Sequence, residues 1–174
     1  MSTETASLPL GPDALRRASP HELSFLFLDR LESYQPRKRR LVAAKNVSLG
    51  EPILNGHFPG FPILPGVLVI ESLSQACRLL VALDHLTEQG TPEAELAMAL
   101  ETAELPIGLL VESAVRHSNA VFPGDTLEMD VQITGREGAV YTLKVEGRVG
   151  GQEVGRGKLK LLWTEGADYP EQPR

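Results

Sequence analysis

Residues 67–83 form the most apolar run of the chain, and burying this run must organise the rest of the fold. Its apolar residues occupy nearly every helical face, so we predict a buried core helix that protein surrounds on most sides. The run is too short and too polar to predict a membrane span. It contains three long polar side chains, those of Glu71, Gln75 and Arg78.

These three polar side chains are spaced four and three residues apart, which places them on one face of the predicted helix. A buried carboxylate is costly unless it is paired, hydrogen-bonded or neutral. Glu71 is therefore a candidate acid–base group, because a carboxyl group in an apolar setting can act as a proton donor. The alternative is a structural residue, since a lone glutamate on a helix usually points to solvent.

The segment before this helix, "NGHFPGFPILPG" at residues 55–66, is rich in proline and glycine. Its prolines recur at positions 59, 62 and 65, and this spacing predicts a stiff, polyproline-like path. We predict that Pro65 and Gly66 open the helix, which then runs to about His85. Gly66 would present free N–H groups and the positive end of the helix dipole, a setting that stabilises an oxyanion.

His57 lies in this loop, and histidine is the side chain whose charge changes near neutral pH. A base at His57, an acid at Glu71 and an oxyanion site at Gly66 are the parts needed to abstract a proton next to a carbonyl group. The competing interpretation is structural, because lone loop histidines more often serve the fold. The four histidines and one cysteine are scattered along the chain, so the sequence predicts no metal site.

The C-terminal half of the chain changes to a period of two, which is typical of half-buried strands. Four antiparallel strands are predicted there, the first at 107–117 and the last at 154–163, with turns at Gly135, Gly138 and Gly150–Gly151. Residues 91–105 are predicted to be a short helix or an insertion. This order of elements predicts an α+β protein in which an antiparallel sheet wraps around a long central helix.

The length of 174 residues suits one domain, which we place at residues 21–164. Residues 1–20 and 165–174 are expected to be a loose leader and a loose tail. A formal net charge of −6 argues against a general nucleic-acid binder. Cys77 is the single cysteine, so no intramolecular disulfide can form, and the expected compartment is the cytoplasm.

The segment that joins the loop to the helix, "GHFPGFPILPGVLVIESLSQ", resembles the signature of the 3-hydroxyacyl-[acyl carrier protein] dehydratases of fatty-acid synthesis, which have the hot-dog fold. The resemblance spans roughly residues 20–163, through "FLFLDRL", "AAKNVSLGEP" and "AVFPGDTL". It implies conversion of a (3R)-3-hydroxyacyl thioester to the trans-2-enoyl product, with no metal or organic cofactor. The substrate would arrive on the phosphopantetheine arm of acyl carrier protein.

By position, the resemblance implies that His57 is the catalytic histidine, Glu71 the catalytic acid and Gly66 the glycine whose N–H contacts the thioester carbonyl. Glutamate at this position resembles the branch that only dehydrates. In the family, the histidine and the acid come from different subunits, which implies a homodimer or a hexamer built as a trimer of dimers. The further substrate-binding positions are Phe58, Phe61, Pro65 and Gln75.

Departures from the family pattern leave some alternatives open. Phe61 stands where the family usually has a small polar residue, and it either lines the substrate tunnel or fills core space. The basic turn "PRKRR" at 36–40 either docks the acidic carrier protein or is a solvated surface. The rival functions are a hot-dog thioesterase, a hydratase of coenzyme A thioesters, and a non-catalytic subunit that binds acyl chains or a partner.

Overall fold

The computed structural model describes residues 10–164. Its helices are α1 (Pro12–Ala18), α2 (Gly66–Glu88) and α3 (Leu96–Thr102). Its strands are β1 (Arg30–Gln35), β2 (Arg40–Asn46), β3 (Ile107–His117), β4 (Thr126–Glu137), β5 (Val140–Val149) and β6 (Gln152–Thr164). The predicted loose tail and residues 1–9 of the predicted leader lie outside the described residues.

The central helix α2 is buried along most of its length, as the sequence predicts. Leu73, Leu80 and Leu83 are fully buried within it. The helix begins at Gly66, as predicted, and ends at Glu88, about one turn later than expected. By length and composition the helix could cross a membrane, since an 18-residue window within it has a mean hydropathy of 1.6. However, 72% of that window is buried inside the protein, which is the environment of a core helix.

The six strands form one antiparallel sheet in the order β1-β2-β4-β5-β6-β3, and α2 packs against five of them, β2 to β6. The four strands predicted in the C-terminal half are confirmed, as is the alternation of buried and less buried positions in β4 and β5. The fully buried positions of β4 and β5 are Leu127, Met129, Val131, Tyr141, Leu143 and Val145. The α+β architecture, with a sheet around one long helix, is therefore the one predicted.

One of the predicted hairpin turns is wrong. Gly138 lies between β4 and β5, and Gly150–Gly151 lies between β5 and β6, and all three have positive φ angles, as expected for turn glycines. Gly135 instead lies inside β4, where the pairing with β5 shifts register after Ile133. A glycine in a strand pattern marks either a turn or a bulge, and here it marks a bulge.

The prediction of a loose leader is wrong for residues 10–20, because this segment contributes to the core. Leu10, Leu15 and Ala18 are buried in the same cluster as the side chains of α2. Arg17 of α1 donates hydrogen bonds of 2.7 and 3.0 Å to the carboxylate of Glu101. That glutamate belongs to α3, which confirms the short helix predicted within residues 91–105.

Two of the four basic side chains in the turn at residues 36–40 form ion pairs with other parts of the fold. Arg39 forms a bidentate pair with Asp84, at 2.7 and 2.5 Å, and Arg40 pairs with Asp130. Arg37 and Lys38 are exposed. Asp84 lies about 27 Å along α2 from Gly66, at a rise of about 1.5 Å per residue, so the turn is at the far end of the helix from the predicted oxyanion site.

Strand β3 forms an outer edge of the sheet, because among the described strands it pairs only with β6. The two strands approach so closely that a Cβ atom at Gly157 would lie 2.0 Å from the carbonyl oxygen of Ala114, which explains the glycine. The strand also exposes apolar side chains, with Ile107 at 40%, Leu110 at 39% and Val111 at 54%. A long apolar edge strand is a template for pairing with another chain.

Candidate active site

The loop before α2 is a tight turn rather than the polyproline-like path that was predicted. Phe58 and Phe61 exchange backbone hydrogen bonds of 3.0 and 2.9 Å, and Pro59 and Gly60 form the corner. The φ angle of 78° at Gly60 matches the type II turn that proline followed by glycine favours. A polyproline helix has no internal hydrogen bonds, so this loop is held by its backbone bonds as well as by its prolines.

His57 is held in one orientation by Ile63, on the other arm of the turn. The N–H of Ile63 donates to the backbone carbonyl of His57 at 2.9 Å, and Nδ1 of His57 lies 3.0 Å from the carbonyl oxygen of Ile63. Because a carbonyl oxygen only accepts, Nδ1 carries the hydrogen and the neutral ring keeps its lone pair on Nε2. His57 is therefore oriented to accept a proton at Nε2.

A cavity of about 340 Å³ lies at the N-terminus of α2 and is lined by both His57 and Gly66. Its far wall is formed by residues 117–121, which are tied to the start of the helix by a 2.8 Å hydrogen bond from the N–H of Leu64 to the carbonyl of Val121. Within the described chain, the N–H of Gly66 has no hydrogen-bond acceptor. The predicted base and the predicted oxyanion donor thus share one cavity.

Glu71 lies outside this cavity, on the face of α2 that meets residues 25–27. Its side chain is 22% exposed, and its Oε1 accepts a 2.8 Å hydrogen bond from Nε2 of Gln75. Gln75 also donates to the carbonyl of Phe25 and accepts from the N–H of Phe27, each at 2.8 Å. Both ends of the Gln75 amide are therefore used inside the chain, where they join α2 to residues 25–27. Its role in substrate binding stays a prediction.

His21 is a second imidazole near Glu71 that the sequence did not single out. Its Nε2 lies 4.0 Å from Oε1 of Glu71, and its Nδ1 lies 3.1 Å from Oγ of Ser19. Burial lowers the pKa of His21, the Glu71 carboxylate opposes this shift, and the Arg78 guanidinium adds to it. His21 is therefore neutral at neutral pH. The fold places it beside Glu71, which lies fifty residues away in the sequence.

Arg78 is buried, 7% exposed, and completes the polar stripe of α2. One guanidinium nitrogen donates a 3.1 Å hydrogen bond to the carbonyl of Ala18, while Nε has no partner in the described chain. Burial lowers the pKa of Arg78 to about 10, so it stays charged at neutral pH. Together with Glu71 and Gln75, Arg78 shows that the predicted stripe faces the segment 18–27.

The other predicted substrate-binding residues divide into one buried and two exposed side chains. Pro65 is buried, and its carbonyl accepts from the N–H groups of Leu68 and Val69 at the first turn of α2. Phe58 and Phe61 are 51% and 57% exposed. Within this chain Phe61 does not fill core space, so the core-filling alternative is wrong.

Among residues 10–164, no group of three histidine, cysteine, aspartate or glutamate side chains is placed to hold a metal ion. Cys77 is fully buried in α2, and burial raises the pKa of its thiol. This environment is that of a small core residue.

Comparison of sequences places the chain among known proteins. The profile of a family described as the FabA-like domain matches residues 19–158. A protein of Anaeromyxobacter sp. (strain Fw109-5) named 3-hydroxyacyl-[acyl-carrier-protein] dehydratase FabZ is 38% identical over 166 residues. The match covers 95% of this chain and 98% of that protein, so the likeness extends over nearly the full length of both.

Comparison of structures gives the same fold. The dehydratase heterocomplex ApeI:P from Xenorhabdus doucetiae contains a chain that matches with a TM-score of 0.68 and 21% identity, covering 93% of this chain and 95% of that one. A hot-dog-like protein from Thermanaerovibrio acidaminovorans matches with a TM-score of 0.54 and 16% identity, covering 74% and 82%. The predicted hot-dog fold is confirmed.

Proposed function

The chain belongs to the FabA-like family of 3-hydroxyacyl-[acyl-carrier-protein] dehydratases, and from this membership we propose how its own residues perform the dehydration. The enzyme removes water from a 3-hydroxyacyl thioester on acyl carrier protein and leaves the 2-enoyl thioester. One observation carries the proposal: His57, whose Nδ1 is bound to Ile63, and Gly66, whose N–H has no acceptor among residues 10–164, line the same cavity.

In the proposed reaction, Nε2 of His57 takes a proton from C2 of a (3R)-3-hydroxyacyl thioester. Negative charge develops on the thioester oxygen, where the N–H of Gly66 and the positive end of α2 stabilise it. The C2–C3 double bond then forms as the C3–O bond breaks. Glu71 gives its proton to the departing hydroxyl group, which leaves as water.

The reaction is proposed to need no metal or organic cofactor, because the thioester carbonyl itself acidifies the proton at C2. The phosphopantetheine arm arrives with the substrate on the carrier protein. The chain supplies the base, the acid and the N–H donor. His57 takes the proton that leaves C2, and Glu71 gives the proton that leaves with the hydroxyl group.

We propose that Glu71 acts on substrate held by a second copy of the chain. Glu71 lies outside the cavity that His57 lines, so one chain does not bring the two groups to one cavity. The exposed apolar edge of β3 is available for pairing, and its last residue, His117, also lines the cavity. Two-fold pairing along β3 would set a second subunit beside each cavity and give a homodimer, or a trimer of such dimers.

The proposed partner is the acidic acyl carrier protein, and the proposed compartment is the cytoplasm. Docking at residues 36–40 is not supported, because Arg39 and Arg40 are used in ion pairs and the turn lies at the far end of α2 from Gly66. Docking at the mouth of the cavity fits better, since the pantetheine arm must bring the thioester to His57. The buried, unpaired Cys77 is compatible with a reducing compartment.

A product assay tests the proposed function. The protein is incubated with 3-hydroxyacyl and 2-enoyl thioesters of several chain lengths, each on acyl carrier protein and on coenzyme A. We expect the mass of the 3-hydroxyacyl carrier protein to fall by one water, and the enoyl carrier protein to gain one in the reverse direction. A free acid would identify a thioesterase, conversion restricted to coenzyme A thioesters would identify a hydratase of that class, and unchanged thioesters would identify a non-catalytic subunit.

A further inference from the structure

A second imidazole, that of His117, lies directly over the first residue of α2. A Cβ atom built on Gly66 would lie 3.2 Å from Nε2 of His117, 3.4 Å from its Cδ2 and 3.5 Å from its Cε1. These are the three nearest heavy atoms outside the backbone of the helix and the adjoining residues, and all three belong to this one ring. The ring therefore lies beside the residue whose N–H is proposed to bind the thioester oxygen.

The ring of His117 occupies a slot between two glycines on different elements. Gly155 of β6 pairs with His117 across the sheet, and a Cβ atom there would lie 3.4 Å from Nδ1 of the ring. Neither Gly66 nor Gly155 has a positive φ angle, so backbone conformation does not require glycine at either position. A Cβ atom at Gly66 would crowd the imidazole, whereas one at Gly155 would come only into van der Waals contact with it. The absence of a side chain at Gly66 therefore leaves room for the ring beside the helix N-terminus.

The ring nitrogens of His117 are available to a ligand. Within the described chain neither nitrogen takes part in a hydrogen bond or an ion pair, whereas Nδ1 of His57 is bound to Ile63. His117 lines the same cavity as His57 and Gly66. His117 is exposed in the single chain, so its imidazole is accessible for hydrogen-bonding a group that enters the cavity.

We propose that Nε2–H of His117 donates a hydrogen bond to the thioester oxygen that the N–H of Gly66 also binds. The inference rests on the proposed function and adds a second donor to the oxyanion site. His117 transfers no proton in this role: His57 takes the proton from C2 and Glu71 supplies the proton that leaves with the hydroxyl group. Two donors on one developing oxyanion stabilise charge that appears only as C2 loses its proton.

The kinetic test replaces His117 by phenylalanine, which keeps a flat ring in the slot and removes the donor. His117→Phe should lower kcat and kcat/KM for dehydration by about 100-fold, the effect of losing one oxyanion donor. His117→Gln, which retains an N–H donor, should recover part of that loss. The matched control is His85→Phe, a histidine on α2 that contacts Trp163 and does not line the cavity, and it should keep wild-type turnover.

A spectroscopic test reads the hydrogen bond without turnover. A saturated acyl pantetheine thioester, which the enzyme can neither hydrate nor dehydrate, is labelled with ¹³C at its carbonyl and bound to each protein. The carbonyl stretch is then measured by infrared difference spectroscopy. The stretch should lie at lower frequency in the wild type than in His117→Phe, because the wild type has one more donor on the oxygen. An identical stretch in both, or turnover of His117→Phe within about threefold of wild type against the 100-fold expected, would overturn the role of His117.

The two tests separate this inference from the proposed function. If the wild type released no water from any thioester, the dehydratase assignment would fail, while the carbonyl stretch would still decide whether His117 donates to a bound thioester. If the wild type dehydrates and the stretch does not respond to His117→Phe, the dehydratase stands and the second donor is rejected.

Discussion

His57→Ala should lower the rate of dehydration by about 1,000-fold or more, because it removes the group that takes the C2 proton. The substitution deletes one hydrogen bond, from Nδ1 to the carbonyl of Ile63, in a loop whose turn is closed by separate backbone bonds. Losing such a bond costs about 1 kcal/mol, which corresponds to a fall in Tm of about 2–4 °C for a chain of this size. Initial rates on the 3-hydroxyacyl carrier protein and a thermal melt measure the two effects.

The control for this prediction is His85→Ala, which removes a histidine that does not line the cavity. It should retain turnover close to that of the wild type. Near-normal turnover of His57→Ala would show that His57 is not the base. A large fall in Tm would show that His57 serves the fold, as the structural interpretation of a loop histidine holds.

Glu71→Gln should also lower turnover by about 1,000-fold, because an amide cannot supply the proton that the hydroxyl group needs to leave as water. Its effect on stability should be neutral or favourable. The amide oxygen of glutamine can still accept the hydrogen bond from Gln75, and the carboxyl group is replaced by an amide of nearly the same shape that cannot ionise. Kinetics and thermal melting of the same preparation test both statements.

The matched control is Glu88→Gln, at the other end of the same helix. Glu88 forms surface ion pairs with Arg136 and Arg39, so its replacement should cost no more than about 1 kcal/mol and leave turnover unchanged. A marked fall in Tm for Glu71→Gln alone would make Glu71 a structural anchor of the segment 18–27. Retained turnover in that variant would assign the acid to another group, and the nearby imidazole of His21 would be the first to examine.

The sequence predicts most of the architecture because its strongest signals are local. The apolar run of α2 and the period-two alternation of β4 and β5 each report burial over many residues, and both predictions hold. The errors lie where a short signal has two meanings. The glycine at position 135 is compatible with either a turn or a bulge. The pair Pro59–Gly60 is compatible with a type II turn as well as with a polyproline path. Helix α1 is too short to display a helical period.

The candidate site is predictable only for residues close together in sequence. His57 and Gly66 are nine residues apart on one loop, and the structure brings them to one cavity. His21 and His117 carry no motif, because their proximity to Glu71 and Gly66 arises from tertiary packing. Their importance depends on a neighbour that the sequence does not reveal.

The central claim is that His57 of one chain and Glu71 of another complete each site, and mixing two inactive variants tests it most directly. His57→Ala and Glu71→Gln are unfolded together and re-paired, and mixed dimers are verified by native mass spectrometry. A mixed dimer has one site with both residues replaced and one with both intact. Random pairing makes about half of the dimers mixed, so about a quarter of wild-type activity should return by two-fold symmetry. Verified mixed dimers that remain inactive would show that the pair works within one chain and would contradict the composite site.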